Sequence, residues 1–251
     1  MSTRKKPDGN HLLAALPAAR LAQLQPLGEV ISLQLGHHLF EVGEPTAQAL
    51  FPLSGFASLL AQLQGHTEGG HGVEVGMAGR EGMLGIQLAL GAARGAPALP
   101  PQALQGIVQG QGMAFAIEAQ AFLRVLPQQP ELHALLLRYA AVLLAQRARA
   151  AACLRFHEIT PRLARWLLMS ADRAGQSRFA LTQEFLAAML GVRRVGITQA
   201  ATALQAQGWI RYHRGDMQLC DRPALRAAAC SCYRADLRSY ALGMGMATAE
   251  R

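Results

Sequence analysis

Residues 182–213, TQEFLAAMLGVRRVGITQAATALQAQGWIRYH, carry the pattern that most narrows what this chain can fold into. A first helix is expected from about Thr182 to Leu190. Thr182 is a suitable N-cap, and Phe185, Leu186 and Met189 recur at helical spacing. Gly191 ends it, because glycine accepts the left-handed backbone that helix C-termini favour. Arg193 and Arg194 stand at the entrance of a second helix with an apolar face of Ile197, Ala200, Ala201 and Leu204, closed by Gly208. Trp209-Ile210-Arg211-Tyr212 then alternates as a half-buried strand does, His213-Arg214-Gly215-Asp216 is turn-rich, and Met217-Gln218-Leu219 resumes the alternation. Two amphipathic helices joined by a glycine turn are common, and most such pairs bind nothing. A hairpin directly after them makes the whole a winged helix-turn-helix, whose second helix offers its first residues to base edges.

Charge is distributed to match. Residues 1–128 hold seven Arg/Lys against eight Asp/Glu, whereas residues 129–251 hold seventeen against eight. A basic excess confined to the half with the helix pair is the footprint expected for a phosphate-backbone partner. Only two lysines occur, Lys5 and Lys6, so part of the arginine usage is a composition bias. With 51% hydrophobic residues the chain can bury a proper core. The most apolar stretch, Leu132 to Leu144, is interrupted by His133, Arg138 and Tyr139, so no membrane span is expected. Arg4, Lys5 and Lys6 precede an apolar patch broken by Pro17 and Arg20. That is a poor secretory signal, so a cytoplasmic protein with a flexible start over residues 1–19 is expected.

Residues from about 28 to 126 show short apolar runs, Leu27 to Leu33 and Phe51 to Leu63, with glycine turns read at Gly65, Gly69-Gly70, Gly76, Gly79, Gly106 and Gly110-Gln111-Gly112. Many short strands with glycine turns indicate a β-roll or small barrel. After Pro130, the residues Leu132, Leu136, Tyr139, Leu143, Gln146, Ala150 and Cys153 alternate steps of four and three, a coiled-coil seam. Such a stripe must be buried, either against a two-fold partner, the reading preferred, or against the chain's own β-roll. Pro161 is expected to start the next helix, running through Met169, with a polar loop over 172–178. The fold class is therefore α+β: a sensor-like β domain over 20–128, a dimerisation helix over 129–157, a winged helix-turn-helix over 158–235 and a tail over 236–251.

Several segments resemble the Crp/Fnr family of bacterial transcription regulators. The helix pair and wing resemble its DNA-binding domain. Phe51-Pro52-Leu53-Ser54-Gly55-Phe56-Ala57-Ser58-Leu59 resembles a strand-turn-strand of its cyclic-nucleotide-binding-like β-roll. Gly79-Arg80-Glu81-Gly82-Met83-Leu84-Gly85 resembles the lead into its short ligand-facing helix, and Arg162 to Leu168 the helix that joins the dimer helix to the DNA domain. The likeness covers residues 20–235 and is most specific in the DNA-binding part. It implies a homodimer on an inverted-repeat operator, with double-stranded DNA and RNA polymerase as partners and a small-molecule effector in the β-roll.

The resemblance places Arg194 where the family has a base-reading arginine at the start of the recognition helix. Its planar fork matches guanine O6 and N7. Gln199 is a second base-reading candidate. Thr182, Gln183, Arg193, Thr198, Arg211 and Arg214 are expected on phosphates, which position without specifying. Many family members carry glutamate after the reading arginine, where this chain has Val195 and then Gly196, so a different half-site is expected. The effector region reads Gly85-Ile86-Gln87 through Arg94. Isoleucine replaces the glutamate that takes the ribose of cyclic AMP in the family, and glycine replaces a serine after Arg94, so cyclic AMP is not the expected effector.

No metal or cofactor is expected. Cys153, Cys220, Cys230 and Cys232 all lie outside the β domain, which argues against the N-terminal iron–sulfur cluster of some family members. Cys230-Ser231-Cys232 is closer-spaced than an ordinary structural zinc half-site and reads as two incidental thiols in a C-terminal helix. Cys153, at the end of the seam, reads as a small buried hydrophobe, or as a thiol facing its twin in a dimer. His37, His38, His66 and His71 read as solvated turn histidines. Neither a Gly-x-Ser-x-Gly nor a phosphate-binding Walker loop occurs, so no enzyme is expected. The rival reading is a regulatory module whose β-roll binds a partner protein.

Overall fold

The computed structural model describes residues 9–62, 72–91 and 99–246. Arg94, His66, His71, Gly65 and Gly69-Gly70 fall outside them. The chain divides into two compact units, one of residues 1–59 and 77–143, the other of residues 60–76 and 144–251.

The first unit opens on two short helices, α1 (His11–Ala14) and α2 (Ala18–Leu24). The segment expected to be a flexible start is packed from Gly9 onward. Asn10 is fully buried: its amide donates to the carbonyls of Pro52 (3.0 Å) and Gly82 (2.8 Å), and its Oδ1 accepts from the amides of Leu12 and Leu13. A side chain that satisfies four bonds at once staples α1 to the sheet without an unpaired buried polar group.

That sheet is built from β1 (Gly28–Leu33), β2 (His38–Phe40), β3 (Gln48–Ala61), β4 (Val73–Ala78) and β5 (Gln105–Glu118), in the order β1-β5-β3-β4 with β2 also on β5. β1 and β5 run antiparallel, with Gly28 opposite Ile117 and Leu33 opposite Gly112. Leu50, Ala57, Leu59, Ala78, Leu84 and Ala116 close the core, and Phe51 meets Phe122 of α4 (Ala119–Val125) at 6.1 Å between rings.

Two turn expectations fail in this sheet. Residues 51–59 form one continuous strand rather than strand-turn-strand, and Gly76, Gly106 and Gly110-Gln111-Gly112 lie inside strands. The β5 glycines are there for space. A Cβ would sit 2.5 Å from the Phe40 ring at Gly106, 2.4 Å from the Phe56 ring at Gly110 and 2.2 Å from the Ser54 carbonyl oxygen at Gly112. Gly55 in β3 is left-handed (φ +72°) with its Cβ direction 2.2 Å from the Gly110 carbonyl oxygen. Gly55→Ala is expected to cost at least about 1–2 kcal/mol from backbone handedness alone. Urea unfolding measures it, and an unchanged midpoint would show that the strand rearranges without cost.

A short helix, α3 (Gln87–Leu90), follows the 79–85 segment as expected. α5 (Pro130–Phe156) is about 40 Å long at 1.5 Å per residue. The stripe read as a dimer seam is not available to a partner. Leu132, Leu136, Tyr139, Leu143, Ala150 and Cys153 are all buried within the single chain, and Gln146 is half-buried. Two stripes with the same periodicity run along α5. The exposed one is offset from the other and holds Leu137, Ala141, Leu144 and Ala148.

In the second unit α6 (Ile159–Ala174) starts two residues before Pro161 and runs beyond Met169 to the left-handed cap Gly175. Proline is tolerated in that first turn because its missing N–H has no intrahelical acceptor there. The expected loop over 172–178 is helix for its first three residues and irregular only over 175–177, and it leads into a strand too short to show in the sequence, β6 (Arg178–Ala180). α7 (Gln183–Leu190), α8 (Arg194–Ala206), β7 (Ile210–His213), β8 (Asp216–Leu219), α9 (Arg222–Ala228) and α10 (Cys232–Met244) complete it. The three strands order β6-β8-β7, all antiparallel. The expected tail is helix as far as Met244, and buried Asp236 binds Arg149 and, at 2.7 Å, Arg165. Among the described residues, no helix is long and apolar enough to cross a membrane.

Candidate nucleic-acid interface

The Thr182 side chain caps α7, accepting from the Phe185 amide at 3.1 Å, and its hydroxyl proton remains to be donated elsewhere. Gly191 (φ +60°) ends α7. Arg162, buried beneath, donates to the Leu190 carbonyl, so a cation sits where the α7 dipole is negative. Burial pushes its pKa below the ordinary guanidinium value. Nothing in the sequence signals this role, since Arg162 reads as one more charge on an amphipathic helix.

α8 buries Ile197, Ala200, Ala201 and Leu204, the face read from the sequence. That burial turns Arg194, Val195, Thr198 and Gln199 to solvent, with Arg193 at the N-cap position. Thr198 Oγ1 lies 2.8 Å from Gln183 Oε1 and 3.1 Å from the Arg194 carbonyl, so its hydroxyl ties the two helices across the turn. Gly196 lets α8 approach α6, since a Cβ there would stand 2.7 Å from Ile159 Cδ1. The first amides of α8 have no intrahelical acceptor, and this helix end is electropositive before any side chain is counted.

The wing turns through Arg214-Gly215, both with positive φ (47° and 81°), as two-residue type I′ hairpins require. Arg178 grips Asp216 bidentately (Nε–Oδ1 2.8 Å, Nη2–Oδ2 2.6 Å) and braces the wing on β6. Tyr212 Oη donates to the Leu181 carbonyl at 3.0 Å, and its amide donates to Gln205 Oε1 at 2.7 Å. Arg193, Arg194, Arg211 and Arg214 are exposed and form no ion pair with a carboxylate among the described residues. Arg149, Arg165, Arg178 and Arg222 of the same unit are each paired with an aspartate.

The Crp-like helix-turn-helix family model matches residues 161–228. The chain carries a Crp-like helix-turn-helix domain. Over 81% of its length the chain is similar in fold to solved Crp/Fnr-type regulators. Against the c-di-GMP-responsive global regulator CLP of Xanthomonas campestris it is 15% identical, with 81% of this chain and 99% of that one covered and a TM-score of 0.63. FixK2 from Bradyrhizobium japonicum gives 14%, 81%, 98% and 0.63. A Crp/Fnr family transcriptional regulator from Thermus thermophilus gives 19%, 81%, 99% and 0.61. No curated protein matches the sequence significantly.

The effector region belongs to the other unit. Gly85 is left-handed (φ +79°), and Ile86 precedes the first turn of α3. The Gln87 amide donates to Thr46 Oγ1 at 2.8 Å, and so does Gln102 at 3.0 Å. Arg94 lies outside the described residues. His37 is exposed, as a turn histidine should be, whereas His38 opens β2 and holds Glu41. With Gln105, that bond lowers the Glu41 pKa.

Proposed function

We propose that this chain is a cytoplasmic, dimeric, sequence-specific DNA-binding transcription regulator. α8 lies in the major groove of an inverted-repeat operator, and RNA polymerase is its partner on the promoter. The observation that carries the reading is the clustering of four exposed arginines, Arg193 and Arg194 at the α8 N-terminus and Arg211 and Arg214 on the wing, that form no ion pair with a carboxylate among the described residues. Arg194 and Gln199 read bases and Val195 meets a thymine methyl. Arg193, Thr182, Gln183, Thr198, Arg211 and Arg214 hold phosphates. An effector in the β-roll is other than cyclic AMP, because Ile86 offers no acceptor for a ribose hydroxyl.

Selection of genomic fragments with the purified chain at near-physiological salt tests this. The expected result is an enriched inverted repeat whose affinity falls steeply with salt, as counterion release requires. Failure to enrich any repeat, with cell extract added to supply an effector, would favour the protein-binding module instead.

Dimerisation uses the exposed stripe of α5 rather than the buried one. Leu137 and Leu144 stand seven residues apart, 43% and 68% exposed. Leu144→Glu is expected to convert dimer to monomer at micromolar concentration with helix content unchanged. Sedimentation equilibrium reads it, and an intact dimer would move the interface elsewhere.

A further inference from the structure

Three thiols and an imidazole meet in the second unit. Cys153 closes the last turn of α5, and His157 follows one turn later, its amide donating to the Cys153 carbonyl at 3.2 Å. Cys230 and Cys232 flank Ser231 where α9 gives way to α10. The Sγ atoms of Cys153, Cys230 and Cys232 and one ring nitrogen of His157 all lie within 4.8 Å of one another. Cys153 Sγ is 3.6 Å from Cys230 Sγ, and Cys232 Sγ is 3.6 Å from His157 Nδ1. We propose that Cys153, His157, Cys230 and Cys232 form a closed, four-ligand structural zinc site.

The two 3.6 Å separations, Cys153–Cys230 and Cys232–His157, suit a tetrahedral ion. With Zn–S of about 2.3 Å and Zn–N of about 2.0 Å, ligand sulfurs stand about 3.8 Å apart and a sulfur–nitrogen pair about 3.5 Å. Three sulfurs and one imidazole are a known structural donor set, and with no fourth position left open the site is not a catalytic one. The three sulfurs are buried, so the shell is dry apart from the half-buried His157. On binding, the thiol protons leave to solvent and the thiolates take the metal. Three thiolates and a neutral imidazole around Zn2+ leave one net negative charge. Arg165 offsets it, with Nη1 3.6 Å from Cys153 Sγ and Nη2 held by Asp236 at 2.7 Å. Outer-shell partners of this kind orient and tune metal ligands.

The sequence conceals this site. One residue between two cysteines is short for a zinc half-site, and the other pair, Cys153 in α5 and His157 just beyond its end, lies more than seventy residues earlier. Only the return of the chain after the wing to the end of α5 brings the halves together. Zinc there fastens the C-terminal turn of α5 to the α9–α10 junction.

The test uses the full chain, purified reduced and stripped with a chelator, then titrated with Co2+ and Zn2+. One Co2+ per chain is expected, with the strong absorption of a tetrahedral thiolate site, displaced by one equivalent of Zn2+. Alkylation followed over time by mass spectrometry is expected to label exposed Cys220 at the same rate with and without metal, and to label the buried Cys153, Cys230 and Cys232 much more slowly with zinc than without it. Cys230→Ser and Cys232→Ser should each weaken zinc affinity by more than about 100-fold, beyond the effect of an outer-shell change, whereas Cys220→Ser should not. If the cysteine variants misfold, the wild-type cobalt spectrum and thiol protection decide alone. Absence of bound cobalt overturns the proposal. So does the pale spectrum of an octahedral surface site, thiols that stay reactive with zinc, or a Cys153–Cys230 disulfide in the freshly isolated, metal-free protein.

Discussion

Arg194→Ala is expected to lower affinity for the selected operator by about 5- to 150-fold per half-site, the equivalent of about 1–3 kcal/mol for removal of a bidentate guanine pairing. Binding to unrelated duplex should fall far less, so the ratio of specific to non-specific affinity collapses. The geometry predicts a clean variant. Arg194 is exposed at the first turn of α8, it forms no ion pair among the described residues, and the apolar face beneath it is complete without it. Titration of operator and scrambled duplex at one salt concentration measures the ratio. An unchanged ratio would remove Arg194 as a base reader. Arg211→Ala provides the contrast. Taking one phosphate-binding cation from the wing should weaken all sequences alike and reduce the salt slope by about one.

Asp236→Ala is expected to be the most destabilising single change in the second unit, by about 3–5 kcal/mol. The carboxylate is 5% exposed and binds two guanidiniums, Arg149 from α5 and Arg165 from α6. Removing it leaves two partly buried guanidiniums facing each other without the carboxylate that both bind. The cost comes from those orphaned charges, not from the worth of the ion pairs themselves, which their desolvation largely cancels. Denaturant unfolding at neutral pH reads the difference. The triple variant with Arg149→Met and Arg165→Met should recover much of the loss, because it removes the charges as well. A wild-type midpoint for Asp236→Ala would mean that water reaches this site and solvates the arginines.

The helix-turn-helix was legible from residues 182–219 because each signal there is local. Thr182 caps through its own side chain, Gly191 and Gly208 take left-handed backbones, and the spacing of Ile197, Ala200, Ala201 and Leu204 fixes which face is buried. Once that face is set, the exposure of Arg194 and Gln199 follows from helix geometry. The β domain was less legible. Glycine at 106, 110 and 112 looks the same whether it makes a turn or clears space for Phe40, Phe56 and the Ser54 carbonyl. Only the pairing partner distinguishes the two, and that partner lies more than fifty residues away.

α5 shows the limit most plainly. Its heptad pattern announced a buried stripe, and a buried stripe exists, but both Leu132-Leu136-Tyr139-Leu143 and Leu137-Ala141-Leu144-Ala148 satisfy the spacing. Periodicity gives the direction of burial around a helix axis and not the identity of what covers it. Arg162 under the end of α7, Asp236 between two arginines and the four-residue thiol and imidazole cluster belong to the same class of fact. By itself the sequence determined the elements that depend on neighbours within a few residues: the caps and turns of the helix-turn-helix, the exposed face of α8, the wing and the basic half of the chain. The tertiary structure alone decided which apolar stripe is spent inside the chain, which arginines are neutralised and which are left exposed, and which distant cysteines meet, because burial and pairing are set where separate elements close on one another.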